Sequence, residues 1–309
     1  GLDPLDTPTA SAATTVQSES FTAHWTTVEN ATGYQIALYR NGAVTRTIDV
    51  NDPETTDYYI SRLSANTDYS YVVIAKSDGV SYDNSEPSNS IDVTTSEMPA
   101  YIDEIFSNTE HWGTLSAMPN PQVWETFDIN NFQVELGALW TDNKTVDEVR
   151  YSGRMGLRSS TGYLTFPYVK NIKSLTLVAY AGSDDKKFAV QEYDASTNTW
   201  TTIEEPASNK TAQLYTIPIS RTSPTKLRLW ASGGTGLFID KILTTPLSSE
   251  KGIQNDNRGI HVYYLDADDN NTQKEYEQER IYKIDNTTYQ LGTLEPINTE
   301  DIDAPVTVD

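Results

Sequence analysis

The sequence predicts an all-β protein built from consecutive β-sandwiches, and three observations carry that expectation. Short runs rich in Thr, Val, Ile, Tyr and Ser alternate apolar and polar residues, as half-buried strands do. Asn, Asp, Gly and Pro punctuate these runs at turn positions. No long stretch carries a 3.6-residue apolar stripe with which a helix could pack. A chain of 309 residues suits about two domains and leaves room for a third at its end.

In chain order, residues 1–15 are rich in Pro, Thr and Asp, hold too little apolar surface for a core, and read as a tether. Residues 16–97 repeat strand and turn at the spacing of a sandwich of about seven strands. Ser20 to Thr26 contains Trp25, Gly33 to Tyr39 is a strand, and Asn41-Gly42 is a hairpin signal because both residues accept positive φ. Tyr71, Val73 and Ala75 alternate with Val72 and Ile74, the pattern of a central strand covered on both faces. Ser85 to Asn89 then leads into the last strand, Ile91 to Thr95. Leu63-Ser64-Ala65-Asn66-Thr67-Asp68-Tyr69 resembles the fibronectin type III signature Leu-x-Pro-x-Thr-x-Tyr, with Ala65 in place of Pro. The resemblance spans almost the whole segment, and it implies a corner in which the Tyr69 hydroxyl bonds backbone near Leu63 to Asn66.

Met98-Pro99 marks a boundary. In residues 101–247, Phe132, Val134, Leu136, Ala138 and Trp140 alternate with Gln133, Glu135 and Gly137, which predicts one inward face and puts Val134, Leu136 and Trp140 in the core. Leu175, Leu177 and Ala179 repeat the pattern. In Lys226 to Leu243, Leu227 and Leu229 share one face, while Lys226, Arg228 and Trp230 share the other. Ser232 to Gly236 reads as a hairpin turn. Beyond Leu237 and Ile239 the next apolar residue on that face is due at position 241 but comes at Ile242, which predicts a β-bulge at Asp240-Lys241. This ending, with Gly153 to Tyr180 and the hairpin Tyr193 to Ile203, resembles the galactose-binding-like jelly rolls common in secreted proteins of gram-negative polysaccharide degraders. The resemblance implies two packed antiparallel sheets and carbohydrate binding.

Residues 250–309 hold strand-like runs, IHVYYLD, RIYKID and TYQLGTLEP, between acidic, Asn-rich turns. Leu294-Glu295-Pro296 with Thr299 partly matches the same signature, without a following Tyr. The segment is too short for a second full sandwich, so it reads as a β-rich tail or partial module. Asp266, Asp268, Asn270 and Glu277 fall in the ligand register of a calcium loop, but Asn271 stands where Gly makes the sharp turn. A plain acidic turn is the other reading.

The chain has 22 basic and 44 acidic residues, net −22, which argues against nucleic acid as a partner. Residues 1–97 carry 14 acidic and 4 basic, residues 98–249 carry 16 and 13, and residues 250–309 carry 14 and 5, so the acidity lies in the flanks. With no cysteine there is no thiol chemistry or disulfide, and no apolar run approaches the ~20 residues of a membrane span. Nucleophile-elbow, zinc-protease and phosphate-loop motifs are missing, and His24, His111 and His261 fall in three separate segments. Apart from the calcium-loop alternative at Asp266 to Glu277, no catalytic residue, metal site or cofactor is therefore expected. Asp103-Glu104, Asp184-Asp185 and Glu204-Glu205 are adjacent acids, and adjacent side chains on a strand diverge.

Five of six tryptophans, Trp112, Trp124, Trp140, Trp200 and Trp230, lie in residues 101–247. By parity Trp124 opposes Val123, Phe127 and Ile129, and Trp230 shares its face with Arg228. Trp124 and Trp230 are therefore candidate sugar platforms, with Arg228 the nearest donor for hydroxyls or a uronate; the competing reading is that a second layer covers both rings. Trp200, just after a turn, reads as a packing residue. The expectation is a secreted or surface protein, or one with a lipid anchor in the outer membrane, that binds a polysaccharide or glycoprotein glycan without catalysis. A glycoside hydrolase or lyase, and an adhesion protein with a protein partner, are the alternatives.

Overall fold

In this computed structural model 54% of the chain is strand and 1% helix, so the all-β expectation holds. The structure describes residues 1–117, 122–247, 252–256, 259–266, 272–275, 281–283 and 289–291. They fall into two compact units, Gly1–Pro246 and Leu247–Asp309.

The N-terminal sandwich has strands β1 (Ala10–Thr14), β2 (Phe21–Trp25), β3 (Gly33–Arg40), β4 (Ala43–Val50), β5 (Asp57–Ile60), β6 (Asp68–Lys76) and β7 (Ile91–Thr94). A three-stranded sheet, β1-β2-β5, faces a four-stranded sheet, β4-β3-β6-β7. Asn41 (φ 52°) and Gly42 (φ 75°) turn β3 into β4 with the left-handed pair that a two-residue hairpin requires. Phe21, Tyr34, Ile36, Tyr71 and Val73 are fully buried between the sheets. On β6 the outer residues Val72 and Ile74 are half-buried, so this strand is sealed on one face only. The Ser64 N–H donates to the Tyr69 hydroxyl at 2.9 Å, the expected corner.

Residues 1–15 are not a tether. Ala10 to Thr14 pairs with β2, the Leu5 N–H donates to Asp83 O at 3.0 Å, and Leu5 and Ala10 are buried in the core. Isolated apolar residues in a polar segment find a core when the neighbouring sheet has an open edge to pair with.

The second sandwich contains β8 (Asp103–Ile105), a single helical turn α1 (Thr109–Trp112), β9 (Glu125–Ile129), β10 (Phe132–Val146), β11 (Val149–Leu157), β12 (Tyr163–Thr165) and β13 (Ile172–Ala181). It continues with β14 (Lys186–Lys187), β15 (Ala189–Asp194), β16 (Thr199–Glu204), β17 (Ala207–Ser208), β18 (Gln213–Arg221), β19 (Leu227–Trp230) and β20 (Leu237–Thr245). One continuous antiparallel sheet runs β16-β15-β19-β12-β10-β11-β20-β13-β18, with β9 on β10 and β8 on β20; β14 and β17 form a separate ribbon. Its two halves fold face to face on a shared core that includes Leu164, Leu229 and Val190 from one half and Leu177, Ile217 and Ile239 from the other.

The long strand β10 belongs to both halves, and the crossing explains a departure from the expected inward face. Its register shifts between Val134 and Gly137, and Leu136 sits there at φ 49°. That bulge reverses the parity. Val134 stays in the main core, Leu136 is only half-buried, and Trp140 is buried on the outer face with Tyr180 and Phe238. The bulge at Asp240-Lys241 is present: Val178 pairs with Lys241 and Ala179 with Ile239, leaving Asp240 as the extra residue. The turn Ser232 to Gly236 is not a hairpin, because β19 and β20 lie in different halves and do not pair. Its glycines answer a close approach, since a Cβ on Gly233 would overlap the Lys187 backbone.

In the C-terminal unit β21 (Gly252–Asp256), β22 (Gly259–Asp266) and β23 (Thr272–Glu275) form one antiparallel sheet, and β24 (Ile281–Lys283) pairs with β25 (Tyr289–Leu291). Most of the calcium-loop register after Asp266, and the Leu294 to Thr299 signature, lie outside the described residues.

Candidate functional site

Leu227 and Leu229 anchor β19 in the core at 2% and 0% exposure, which turns Arg228 and Trp230 outward. Pairing then decides their neighbours. Trp230 lies across from Tyr163 on β12 and Ala189 on β15, and Arg228 across from Thr165 and Gln191. One strand further out, Tyr193 pairs with Trp200. The small Ala189 and Thr165 leave room for the large side chains beside them.

The Tyr163 and Trp230 rings stack with centroids 5.7 Å apart and planes 16° from parallel. The Arg228 guanidinium carbon lies 4.2 Å from the Tyr163 ring and 4.3 Å from that of Trp200, so one cation joins both aromatic groups. Arg228 Nε donates to Gln191 Oε1 at 2.7 Å, which orients the fork. Burial lowers the Arg228 pKa, opposed by Tyr163 and Glu135, and the group remains a cation at neutral pH. Among the described residues its terminal nitrogens make no hydrogen bond and it has no carboxylate partner within ion-pair distance. The indole N–H of Trp230 donates to Ser160 O at 3.0 Å, which fixes the ring. Half-buried aromatic plates around an unpaired guanidinium offer apolar stacking surface and directed donors together.

The N-terminal sandwich closes one end of this face. Lys226, two residues before Arg228 and on the same side, meets Glu19 at 2.6 Å, and Glu19 also accepts from the Tyr168 N–H at 2.6 Å. Asn131 accepts from Ser20 Oγ at 2.7 Å, and its N–H donates to the Tyr59 hydroxyl at 2.9 Å. Asp128 on β9 takes hydrogen bonds from Ser61 Oγ at 2.6 Å and Arg62 Nε at 3.0 Å. The open part of the platform therefore lies beyond this row, toward Trp230.

Trp124 is elsewhere. It packs edge-on against Trp140 with centroids 5.0 Å apart, in the cluster of Tyr180 and Phe238 on the outer face of the other half. Parity pointed both indoles away from the main core, but the fold puts them on opposite sides of the sandwich. Arg228 and Trp230 do come together. Sequence reasoning missed Tyr163 and Gln191 and took Trp200 for packing alone, since their membership depends on strand order.

Asp103 and Glu104 diverge. Glu104 holds His111 at 2.8 Å and the Trp112 indole at 3.2 Å, whereas Asp103 faces Lys241 at 3.4 Å. Asp184 accepts from the Lys210 N–H at 2.8 Å, and Glu205 lies 3.9 Å from Lys187. His24 meets Thr14 Oγ1 at 2.6 Å, and His261 lies on β22 in the other unit. Among the described residues no group of three or more His, Asp or Glu could hold a metal. An open depression of about 310 Å³ lies on the N-terminal sandwich, lined by Tyr39, Arg40, Asp68, Asp92 and neighbours. Asp68 is engaged there by the Thr94 hydroxyl at 2.6 Å.

No curated protein matches the chain. Among solved structures, similar chains include the FN3 domain of human collagen XX (25% identity, 31% of this chain and 96% of that one, TM-score 0.27). Others are the FN5 domain of Drosophila Lar (22%, 30% and 97%, TM-score 0.25) and the domain of human fibronectin type III domain containing protein 3 (19%, 31% and 91%, TM-score 0.26). The family model for the fibronectin type III domain matches residues 6–91, the stretch that contains the Tyr69 corner, strands β1 to β6 and the first residue of β7. Residues 6–91 are therefore a fibronectin type III domain, a general binding or scaffold module.

Proposed function

We propose that this protein binds glycans without catalysis through the outer face of its second sandwich, on a platform of Tyr163, Trp230, Trp200 and Arg228. The observation that carries the reading is the Arg228 guanidinium lying against two aromatic rings with its terminal donors unspent. Sugar rings stack their C–H faces on aromatic plates, and hydroxyls or acidic groups take an arginine fork. The jelly-roll resemblance supports the same reading, and with it we propose that the protein works at the cell surface or in the medium, where polysaccharide is met. Against the hydrolase and lyase alternative, the adjacent acids Asp103 and Glu104 turn to separate partners, Lys241 and His111. The adhesion alternative draws on the fibronectin type III domain, whose edge strand β4 exposes Val44 at 53%.

The test is isothermal titration of the full chain with a panel of plant and algal oligosaccharides, comparing wild type with Trp230→Ala and Trp124→Ala. The reading expects a ligand whose binding is lost in Trp230→Ala and kept in Trp124→Ala. Equal binding by wild type and Trp230→Ala would remove the platform.

A further inference from the structure

The platform's closed end constrains what its ligand carries, an inference that rests on the glycan reading above. Residues 1–97 hold only 4 basic side chains beside 14 acidic ones, yet one of the four, Arg62, reaches Asp128 on β9 of the second sandwich. Arg46 donates to Ser61 O at 2.8 Å, and Ser61 and Arg62 both bond Asp128 on β9. Arg62 is held at φ 59°, a left-handed conformation rare outside glycine, and its side chain is 56% exposed. The backbone thus accepts strain where an arginine is presented to solvent.

Glu135 links this edge to the platform. It stands across from Tyr163 on the same outer face, and its charge acts on the Arg62 and the Arg228 guanidinium alike. Arg62 is partly neutralised by Asp128, while Arg228 has no carboxylate within ion-pair distance among the described residues. Arg228 keeps its terminal donors free beside two aromatic rings, and such a cation is what an anionic ligand requires.

We propose that Arg62 and Arg228 form the cationic end of one groove shared by the two sandwiches, and that its ligand is an acidic polysaccharide. A carboxylate or sulfate group is held at that end, while neighbouring sugar rings lie on Tyr163 and Trp230. Glu135 opposes the bound anion and sets an upper limit on affinity.

The experiment is titration of the full chain with three probes of matched length: an oligogalacturonate, a sulfated chondroitin oligosaccharide and a neutral galactan oligosaccharide. An acidic probe is expected to bind more tightly than the neutral one and to weaken as salt is added. The two acidic arms separate carboxylate from sulfate recognition. Arg62→Gln should lower affinity for the preferred acidic probe roughly ten-fold and leave the neutral probe unchanged, the loss expected for one charge-assisted contact. Glu135→Gln should raise acidic affinity several-fold, a gain that misfolding does not produce. If Trp230→Ala abolishes binding but Arg62→Gln and Glu135→Gln change nothing, the shared cationic groove is overturned and the platform stands. If the neutral probe binds as well as the acidic ones, the anionic ligand is overturned. If Trp230→Ala has no effect on any probe, both readings fall.

Discussion

Glu19 of the first sandwich and Lys226 of the second form an ion pair at 2.6 Å whose side chains are 4% and 10% exposed. A charge pair so far from water holds only while both partners are present, and Glu19 is further satisfied by the Tyr168 N–H. The Lys226 ammonium also lies 4.9 Å from the Tyr168 ring centre.

Removing one partner leaves the other buried and unpaired. Glu19→Gln or Lys226→Met should therefore each destabilise the full chain by about 3 to 5 kcal/mol, whereas the two together should recover much of that loss. Urea denaturation followed by tryptophan fluorescence checks this. Additive losses in the double variant would show that the pair is not coupled.

The Tyr69 corner is a second site with a defined cost. Its hydroxyl receives the Ser64 N–H, while Ser64 O is taken by the Thr95 hydroxyl at 2.6 Å, so the turn keeps one tie when the other is cut. Tyr69→Phe should cost about 1 to 2 kcal/mol without changing the fold. A loss within error of zero by chemical denaturation would mean that water replaces the bond.

How much of this was legible in the sequence depends on how local the cause is. The Tyr69 corner, the Asn41-Gly42 hairpin and the Asp240 bulge rest on residues close in sequence, and each could be read there. The bulge at Leu136 could not, because nothing about a leucine announces a positive φ, and missing it put Trp140 on the wrong face. Parity correctly turned Trp230 and Arg228 outward, but Tyr163, Trp200 and Gln191 join them only because β19 lies between β12 and β15. Alternation states which way a side chain points; strand order states what it meets. The same gap separates Trp124 from Trp230.

Behind Trp140 the structure demands a missing side chain. A Cβ on Gly156 would run into the Trp140 ring and sit 3.3 Å from Phe238 Cδ1. Gly156→Ala should cost about 1 to 3 kcal/mol by overpacking, and Trp140→Phe in the same chain should return part of it. Thermal unfolding of the single and double variants distinguishes this overlap from a loss of backbone freedom, which Trp140→Phe would not relieve.

Asp240, the bulge residue, carries the pH dependence. It is fully buried, and neither carboxyl oxygen has a hydrogen-bond partner among the described residues. Burial pushes its pKa up to about 7, and the Asp142 charge adds to the rise, while Arg154 and Lys144 oppose it. Arg154 is itself engaged by Asp142 at 3.1 Å, and Asp142 also accepts from the Tyr180 hydroxyl at 2.7 Å. Below about pH 4 Asp240 is protonated in both folded and unfolded chains, and its ionisation costs nothing. Between about pH 4 and 7 the unfolded chain has released this proton while the folded one retains it, so stability falls as pH rises; above that range the penalty is constant. The interval between the two pKa values corresponds to on the order of 4 kcal/mol. Asp240→Asn keeps the shape and removes the ionisation, so its advantage over wild type in urea denaturation should grow across that interval and then level off. A difference independent of pH would mean that Asp240 is ionised in the folded chain throughout, with Arg154 and Lys144 outweighing its burial.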